Sequence, residues 1–254
     1  MSPALPADDV ITVTDVARSF GPRVLFRHVG FVVHRGEILV ILGGSGCGKS
    51  TLLRMLMGLL EPTEGRIEVL GVDIATADTA LRTRVGVMFQ MGALFGSMTL
   101  LENVMLPLEM HTDLPPAARR SVALTKLGLV GLADAAALMP AEISGGMAKR
   151  AAIARALALD PPLLFLDEPS AGLDPITSAG LDRLILDLRR DLGISFVVVT
   201  HELESIRTIA DRCIMLDKAA QGMIAEGDPR TLGETSEHPI VRAFFRREAA
   251  GDAR

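Results

Sequence analysis

The sequence predicts an α/β fold with a parallel sheet at its core and a helical subdomain inserted into that core. Residues 38–42 are all apolar, which is typical of a strand buried on both faces of a parallel sheet. A Gly-rich loop and a helical pattern over residues 49–60 follow this strand directly. From residue 163 onward strands and helices alternate again, as expected for a layered α/β architecture.

The first part of the chain is rich in predicted strands. Two short β-rich runs, residues 10–16 and 31–33, precede the buried strand. The helix that begins at Lys49 is expected to end before Glu61 and Pro62, and a strand over residues 66–70 ends at Gly71. A strand, a loop and a helix therefore form the first unit of the core.

The middle of the chain, residues 81–160, is mostly helical in character. Pro115 and Pro116 open a helix that continues to Val130, and an Ala-rich helix covers residues 147–159. We therefore expect one domain over residues 1–254, with a core of residues 1–90 and 161–254 and a helical subdomain of about 91–160. The predicted strands of the second core segment are 163–166, 195–199 and 213–216, and its predicted helices are 177–192 and 202–210.

Composition limits the classes of partner. With 254 residues and 49% apolar content the chain can bury a large core. The formal net charge of -5 and the lack of a Lys/Arg block argue against nucleic acid as a partner, because phosphate neutralisation needs clustered cations. The two cysteines, Cys47 and Cys213, indicate buried thiols and a reducing compartment. Charge or proline interrupts every long apolar stretch, so no membrane span is predicted.

The Gly-rich loop has the spacing of a P-loop, G-x-x-x-x-G-K-S, and lies between a strand and a helix as a P-loop requires. Its backbone N–H groups and the following helix N-terminus favour phosphate, and Lys49 adds a charge for the β and γ phosphates. The hydroxyl of Ser50 is expected to bind Mg²⁺. A Gly-rich turn without a ligand is the alternative. The predicted nucleotide-binding residues here are Gly43, Gly44, Ser45, Gly46, Cys47, Gly48, Lys49, Ser50 and Thr51.

Residues 163–168 form an apolar strand that ends in two adjacent carboxylates. A strand tip of this kind suits a metal–nucleotide site, and Asp167 is expected to bind Mg²⁺ through water. Glu168 faces away from Asp167 if the backbone is extended, and it can then accept a proton from the water that attacks the γ-phosphate. Taken alone, the pair could be the polar start of a loop.

Residues 143–147 run Ile-Ser-Gly-Gly-Met, and together with the P-loop and the acidic strand end they resemble the ABC ATPase family over nearly the whole chain. The resemblance implies an N-terminal antiparallel β subdomain and a head-to-tail homodimer that encloses two ATP molecules. Ser144 can cap the Ala-rich helix and, with Gly145 and Gly146, offer a second anion site. In the family this segment contacts the γ-phosphate held by the opposite subunit. A plain serine N-cap is the alternative.

Four further residues have counterparts in the family, each with a structural alternative. Phe20 resembles the aromatic residue that stacks on adenine, or it is a core residue at a strand end. Gln90 resembles the glutamine that contacts Mg²⁺, the attacking water and the permease, or it faces solvent in a loop. Asp174 resembles the residue of the loop that couples the two sites, or it is an N-cap before Pro175. His201 resembles the histidine that contacts the γ-phosphate, or it is structural.

Residues 143–147 resemble the family's signature motif and are called the signature segment below. This segment departs from the usual family pattern, and the departures also indicate a subgroup of the family. Ile143 replaces the usual Leu, Met147 replaces the usual Gln, and Phe20 stands where many members have Tyr. Met147 followed by residues 148–150, Ala-Lys-Arg, resembles the ATPases of Mla/Mce-type lipid transporters, as do residues 89–95, 138–140 and 174–177. This resemblance implies integral membrane permease subunits, an Mce-domain lipid-binding protein, phospholipid or similar cargo, and a peripheral location on the cytoplasmic face of the bacterial inner membrane.

Residues 91–110 contain an apolar set rich in methionine, a residue with a flexible and polarisable side chain. Such a set suits a groove that receives a permease helix, although most of it is expected in the core of the helical subdomain. Leu94 and Phe95 are the members predicted to be exposed. The residues are Met91, Leu94, Phe95, Met98, Leu100, Leu101, Met105, Leu106 and Met110.

Three functional hypotheses compete. The first is a transport ATPase in which Glu168 is the base and Gln90 and His201 place the water and the phosphate. The second is a non-transport ABC protein acting on ribosomes or DNA, but those usually carry two cassettes or a long coiled insertion, and this sequence has neither. The third is another P-loop enzyme, a kinase or GTPase, for which the guanine-reading Asn-Lys-x-Asp motif is missing.

Overall fold

Two β-sheets form the framework of the chain in a computed structural model, which describes residues 9–77 and 79–247. The ends of the predicted 1–254 domain therefore lie outside the described residues. The strands are β1 (Asp9–Phe20), β2 (Arg23–His34), β3 (Ile38–Gly43), β4 (Glu64–Val69), β5 (Val72–Asp73), β6 (Val85–Met88), β7 (Leu163–Asp167), β8 (Ser195–Val199), β9 (Arg212–Asp217) and β10 (Gly222–Gly227). The α-helices are α1 (Lys49–Leu56), α2 (Thr79–Thr83), α3 (Leu100–His111), α4 (Pro116–Leu129), α5 (Gly145–Ala156), α6 (Pro175–Leu192), α7 (Leu203–Ile209), α8 (Leu232–Thr235) and α9 (Pro239–Arg246). Short 3₁₀ turns lie at Ile74–Thr76, Ala133–Ala135 and Pro140–Glu142.

The first sheet is antiparallel, with the strand order β2-β1-β4-β5. This matches the antiparallel β subdomain that the family resemblance implied. Strand β1 is longer than the sequence predicted and reaches Phe20, with register shifts on either side of Val16. A long, irregular strand explains why only its most apolar part was recognised.

The second sheet has the order β10-β9-β3-β8-β7-β6, and its strands are parallel except for the antiparallel pair β9–β10. Side chains of β3 alternate between two apolar clusters. Ile38, Val40 and Leu42 face one cluster, whereas Leu39 and Ile41 face the other. The first cluster includes residues of α3–α7 and α9, and the second includes α1 and the antiparallel sheet. Burial on both faces is the reason that this strand is apolar throughout.

The segment between β6 and β7 contains α3, α4 and α5 and covers the residues of the predicted helical subdomain. No strand was predicted between residues 81 and 160, and β6 corrects this. It is a four-residue strand with a glycine that weakens its β-propensity. Gly86 is required there, because a Cβ atom would lie 2.4 Å from the carbonyl oxygen of Ala156.

Helix α1 ends at Leu56, earlier than the predicted end at residue 60. Gly58 adopts a left-handed φ of 67°, and its N–H donates to the carbonyl of Met55, which closes the helix. Among the residues that the structure describes, none of the helices combines the length and the apolar character needed to cross a bilayer.

Candidate functional site

The carboxyl ends of three neighbouring parallel strands bring the predicted P-loop, the acidic pair and the histidine to one edge of the sheet. Strand β3 pairs with β8, and β8 pairs with β7, so that Asp167 lies opposite Val199. Gly43 ends β3, and His201 follows β8 by two residues. Residues far apart in sequence thus meet where ligands of α/β sheets bind.

The loop after β3 is shaped by glycines at positions where a side chain would clash. A Cβ atom on Gly43 would lie 2.3 Å from the carbonyl oxygen of Leu216, and one on Gly48 would lie 2.8 Å from the ring of Phe26. Gly48 caps α1 with a φ of 108°. The Nζ atom of Lys49 donates to the carbonyl oxygens of Gly43 at 2.7 Å and Gly44 at 3.1 Å. The ammonium is therefore held directly beneath the loop.

A cavity of about 600 Å³ opens beside this loop. It brings together the P-loop, Lys49, the carboxylate residue Glu168 and His201. Its remaining wall comes from Met215 and from the apolar side of α9, which the sequence analysis did not identify. The lining residues are Gly43, Gly44, Ser45, Lys49, Glu168, His201, Met215, Ile240, Ala243 and Phe244.

A second cavity of about 360 Å³ also adjoins this loop. Phe20 lines it and is 50% exposed, so it is not the core residue that was considered as the alternative. The guanidinium of Arg18 lies 4.5 Å from the centre of its ring. Gly46, Gly48, Lys49, Ser50 and Thr51 complete the predicted part of the lining. Cys47 lines neither cavity; it is buried, and burial raises the pKa of its thiol.

Asp167 has the properties expected of a cation ligand. Its Oδ1 atom is buried and has no hydrogen-bond partner within the described chain. Burial raises the pKa of Asp167, the adjacent Glu168 carboxylate raises it further, and Arg54, Lys149 and Lys49 oppose this. No cluster of three or more His, Cys, Asp or Glu side chains able to hold a metal occurs in the parts of the chain that are described. Magnesium would therefore need oxygen ligands from elsewhere, such as the hydroxyl of Ser50 and phosphate.

Glu168 is held in an unusual backbone conformation, with a φ of 49°. The assumption that extended geometry turns it away from Asp167 is therefore wrong, because the strand ends at Asp167 and a left-handed residue follows. The two carboxylates still differ in position, because Glu168 lines the 600 Å³ cavity and Asp167 does not. Its Oε1 atom lies 2.9 Å from Nδ1 of His201, and its buried Oε2 atom has no partner among the described residues.

Lys149 is a site residue that the sequence analysis did not identify. It lies on α5, and its Nζ atom donates to the backbone carbonyl oxygens of Gln90 and Glu168. Desolvation lowers the pKa of Lys149, and the carboxylates of Glu168 and Asp167 oppose this. Gln90 itself follows β6 in a loop, is exposed and lies outside the lining of both cavities. A lysine in an Ala-rich helix has no sequence signal for such contacts.

The signature segment lies apart from both cavities. Ser144 is the N-cap of α5, and its hydroxyl accepts a hydrogen bond from the backbone N–H of Met147 at 3.3 Å. Gly145 is exposed, whereas Gly146 packs so closely on Thr177 that a Cβ atom would lie 2.4 Å from its methyl group. Ser144, Gly145 and Gly146 therefore line neither of the two cavities beside the P-loop of their own chain.

Asp174 is the N-cap of α6. Its carboxylate accepts hydrogen bonds from the N–H groups of Ile176 and Thr177, both at 3.0 Å, and from the hydroxyl of Thr177. The bonds from Thr177 are the main reason that the pKa of Asp174 is lowered. The capping role considered in the sequence analysis is therefore present, and Asp174 also lies outside the lining of both cavities.

The apolar residues 91–110 divide between the core and the surface. Leu100 and Leu101 are buried, but Leu94, predicted to be exposed, packs partly buried against the main apolar cluster. Phe95 is 50% exposed as expected, and Met91 is 91% exposed. The loop turns at Gly92 and Ala93, which both have left-handed φ values and direct Leu94 inward.

Comparisons with known proteins identify the family. The family described as "ABC transporter" matches residues 26–171, more than half of the chain. The Intermembrane phospholipid transport system ATP-binding protein MlaF of Escherichia coli K12 is 42% identical over 241 residues, 93% of this chain and 88% of MlaF. The Probable ribonucleotide transport ATP-binding protein mkl of Mycobacterium bovis is 41% identical over 92% of this chain, which spans 66% of that relative's length.

Solved structures are similar over most of their length. The dimeric post-hydrolysis structure of the ATP-binding cassette MJ0796 bound to ADP and Pi has a TM-score of 0.77 at 32% identity, covering 87% of this chain and 99% of that one. CbiO1 of Clostridium perfringens, part of the ABC transporter complex CbiONQ, has a TM-score of 0.82 at 27% identity, covering 93% and 95%. With its P-loop, acidic strand end and signature segment in the order expected for an ATPase cassette, this chain belongs to the ABC transporter family.

Proposed function

We propose that this chain is the ATP-binding and ATP-hydrolysing subunit of a membrane ABC transporter that moves phospholipid or a similar hydrophobic lipid. The observation that carries the catalytic part is the large cavity, because Lys49, Glu168 and His201 line it together with the P-loop backbone. A phosphate bound by the loop would thus lie beside a carboxylate and an imidazole.

Binding of ATP uses the two cavities that adjoin the loop. The ring of Phe20 stacks on adenine in the smaller cavity, whereas the backbone N–H groups and Lys49 bind the phosphates. Mg²⁺, for which Ser50, Asp167 and Gln90 are the proposed ligands, would supply neutralisation of phosphate charge. The unpartnered, buried Oδ1 atom of Asp167 supports this choice.

Hydrolysis depends on the orientation of Glu168. Its carboxylate accepts a proton from the attacking water, while His201, hydrogen-bonded to the same carboxylate, contacts the γ-phosphate. Gln90 orients the water from its loop after β6. The N–H groups and hydroxyl of Ser144, Gly145 and Gly146 come from a second copy, a proposal that the dimeric structures of similar ATP-binding cassettes support. The proposed unit is therefore a head-to-tail homodimer with two ATP sites.

The lipid cargo is inferred from relatives. The E. coli and Haemophilus influenzae proteins named as phospholipid transport ATP-binding proteins are 42% and 40% identical over 93% and 97% of this chain. We propose the same role here, with integral membrane permease subunits and an Mce-domain lipid-binding partner at the cytoplasmic face of the bacterial inner membrane. Exposed Met91 and Phe95 offer a surface for a permease helix.

The catalytic proposal is tested with Glu168→Gln. This variant should bind ATP as the wild type does and accumulate as an ATP-bound dimer, while its turnover falls by about 10²–10⁴, the contribution typical of a general base. Glu202→Gln is the matched control, because Glu202 is an exposed neighbour of His201 outside both cavities. Hydrolysis by Glu168→Gln at the wild-type rate would refute the role of Glu168.

The cargo is tested by purifying the tagged chain from its native membrane and identifying what is recovered with it. A polytopic permease with bound phospholipid supports the proposal. A permease complex that carries ribonucleotide and no lipid would favour the function named for the Mycobacterium relatives. Recovery with ribosomes or DNA would instead favour a non-transport ABC protein.

A further inference from the structure

Lys149 is a buried cation between the helical subdomain and the catalytic edge of the sheet. It lies in α5, the helix that begins at the signature segment, and it is only 8% exposed. Its Nζ atom donates to the carbonyl of Gln90 at 2.5 Å and to the carbonyl of Glu168 at 3.2 Å. One ammonium therefore joins the helix, the Gln90 loop and the backbone of the proposed catalytic carboxylate.

The backbone of Glu168 needs such support. A left-handed φ in a residue with a side chain persists only where the surrounding structure holds it. The N–H of Glu168 donates to Val199 at 2.8 Å, and its carbonyl accepts from the N–H of Ala171 at 3.2 Å and from Lys149. Of these three partners of the Glu168 backbone, Lys149 is the one that belongs to the helical subdomain. Because the left-handed turn brings the carboxylate into the cavity, a change at this carbonyl displaces the carboxylate as well.

A comparison with Lys126 distinguishes this arrangement from an ordinary buried lysine. Lys126 is 7% exposed and belongs to the same subdomain, but it pairs with the carboxylate of Asp160. Asp160 precedes β7 and lies near its amino end, whereas Glu168 follows the carboxyl end. Lys149 instead donates to two main-chain carbonyls, those of the proposed catalytic residues Gln90 and Glu168. Burying an ammonium is unfavourable unless its protons are bonded, so its position is tightly specified.

We propose that Lys149 is a positioning residue for ATP hydrolysis, which holds the backbone of Glu168 so that its carboxylate faces the cavity, with the Gln90 carbonyl as its second anchor. It touches neither nucleotide nor water in this role. The inference rests on the proposed role of Glu168.

The first test compares Lys149→Met, Lys149→Gln and the control Lys126→Met in steady-state ATP hydrolysis, ATP binding and thermal unfolding. Lys149→Met should lower kcat by about tenfold or more, as loss of a hydrogen bond from a charged donor typically does, with KM and ATP affinity within about twofold of wild type. Lys149→Gln keeps an N–H donor and should recover part of kcat. Lys126→Met should lower the unfolding temperature with kcat unchanged.

The second test removes the carboxylate on which Lys149 is proposed to act. In a Glu168→Ala background, residual single-turnover hydrolysis of labelled ATP should be the same with Lys149 or Met at position 149, because residues that act as a unit are not additive. A further fall in that background would overturn the proposal.

Other outcomes are equally decisive. If Lys149→Met raises KM in proportion to its loss of kcat/KM, or if both Lys149 variants fail to fold, Lys149 is a binding or structural residue and the proposal is wrong. If Glu168→Ala hydrolyses ATP at the wild-type rate, the proposed function of Glu168 fails instead. A full loss in Glu168→Ala with a normal kcat in Lys149→Met would refute the role of Lys149 alone.

Discussion

Gly146→Ala should destabilise the protein, although alanine is the better helix former. Gly146 lies in the first turn of α5, against Thr177 at the start of α6. A Cβ atom there would lie 2.4 Å from the Thr177 methyl group, a distance at which either the Thr177 side chain or one of the two helices must shift. At the preceding position, Gly145, the nearest atom would be a methyl group of Leu173 at 3.7 Å, which is an ordinary contact.

The magnitude follows from two opposing effects. Overpacking typically destabilises by about 1–3 kcal/mol, while replacement of glycine by alanine gains at most about 1 kcal/mol in a helix interior and less in its first turn. We therefore expect a net loss of about 1–2 kcal/mol for Gly146→Ala. In a domain of this size that corresponds to a fall in Tm of roughly 2–4 °C per kcal/mol.

The assay is urea unfolding of Gly145→Ala, Gly146→Ala and Gly146→Ala/Thr177→Ser. Thr177→Ser removes the clashing methyl group but keeps the hydroxyl that donates to Asp174, so it should restore most of the lost stability. Gly145→Ala should unfold like the wild type while its hydrolysis falls, because the exposed methyl group would crowd the proposed phosphate contact. A fully stable Gly146→Ala, or a double variant that gains nothing from serine, would refute the packing argument.

Three further predictions concern single side chains. Phe20→Ala should raise the KM for ATP roughly three- to tenfold, equivalent to about 0.6–1.4 kcal/mol of lost stacking, whereas Phe20→Tyr should not; an unchanged KM in the alanine variant would contradict the stacking role. Burial raises the pKa of Asp182, so the wild type should lose stability relative to Asp182→Asn as pH rises from the unfolded to the folded pKa of this carboxyl group. Urea unfolding across pH measures this, and a wild type whose stability changes with pH in the same way as that of Asp182→Asn would contradict it. Burial raises the pKa of Cys213 to about 12, so maleimide should label it only after unfolding; rapid labelling of the native protein at pH 8 would contradict this.

The parts of the fold that the sequence predicts well are those where local pattern and tertiary environment agree. Strand β8 was predicted at its observed bounds because both of its faces are buried and every residue of 196–199 is apolar. Helix α9 was missed although it carries signals, with Pro239 at its first position and apolar residues on one face. Strand β6 was missed for a different reason. Glycine has a low strand propensity, and Gly86 is needed because the backbone of Ala156 approaches it closely.

Within the site, the sequence indicates which residues have the chemistry to bind phosphate or to accept a proton. It does not indicate the backbone conformation and the contacts that position them. The P-loop spacing implied its location because the motif needs a strand before it and a helix after it. The left-handed backbone of Glu168 and the contacts of Lys149 could not be predicted, since they involve residues that are distant in sequence. The sequence also could not distinguish Leu94 from Met91 as the exposed residue, because the turn at Ala93 decides it.

Helix α5 connects the exposed loop that carries Met91 and Phe95 to the edge of the sheet where Glu168 lies. Arg155, near its end, donates to the carbonyls of Gly92 and Ala93 at 2.9 and 2.6 Å, and its guanidinium lies 6.0 Å from the centre of the Phe95 ring. Lys149, six residues earlier, donates to the carbonyls of Gln90 and Glu168. A partner that presses on the exposed loop therefore acts on a segment fixed to the helix that begins at the signature. Because these contacts lie along one helix, we expect a displacement of α5 to reach the signature segment and the Glu168 backbone together.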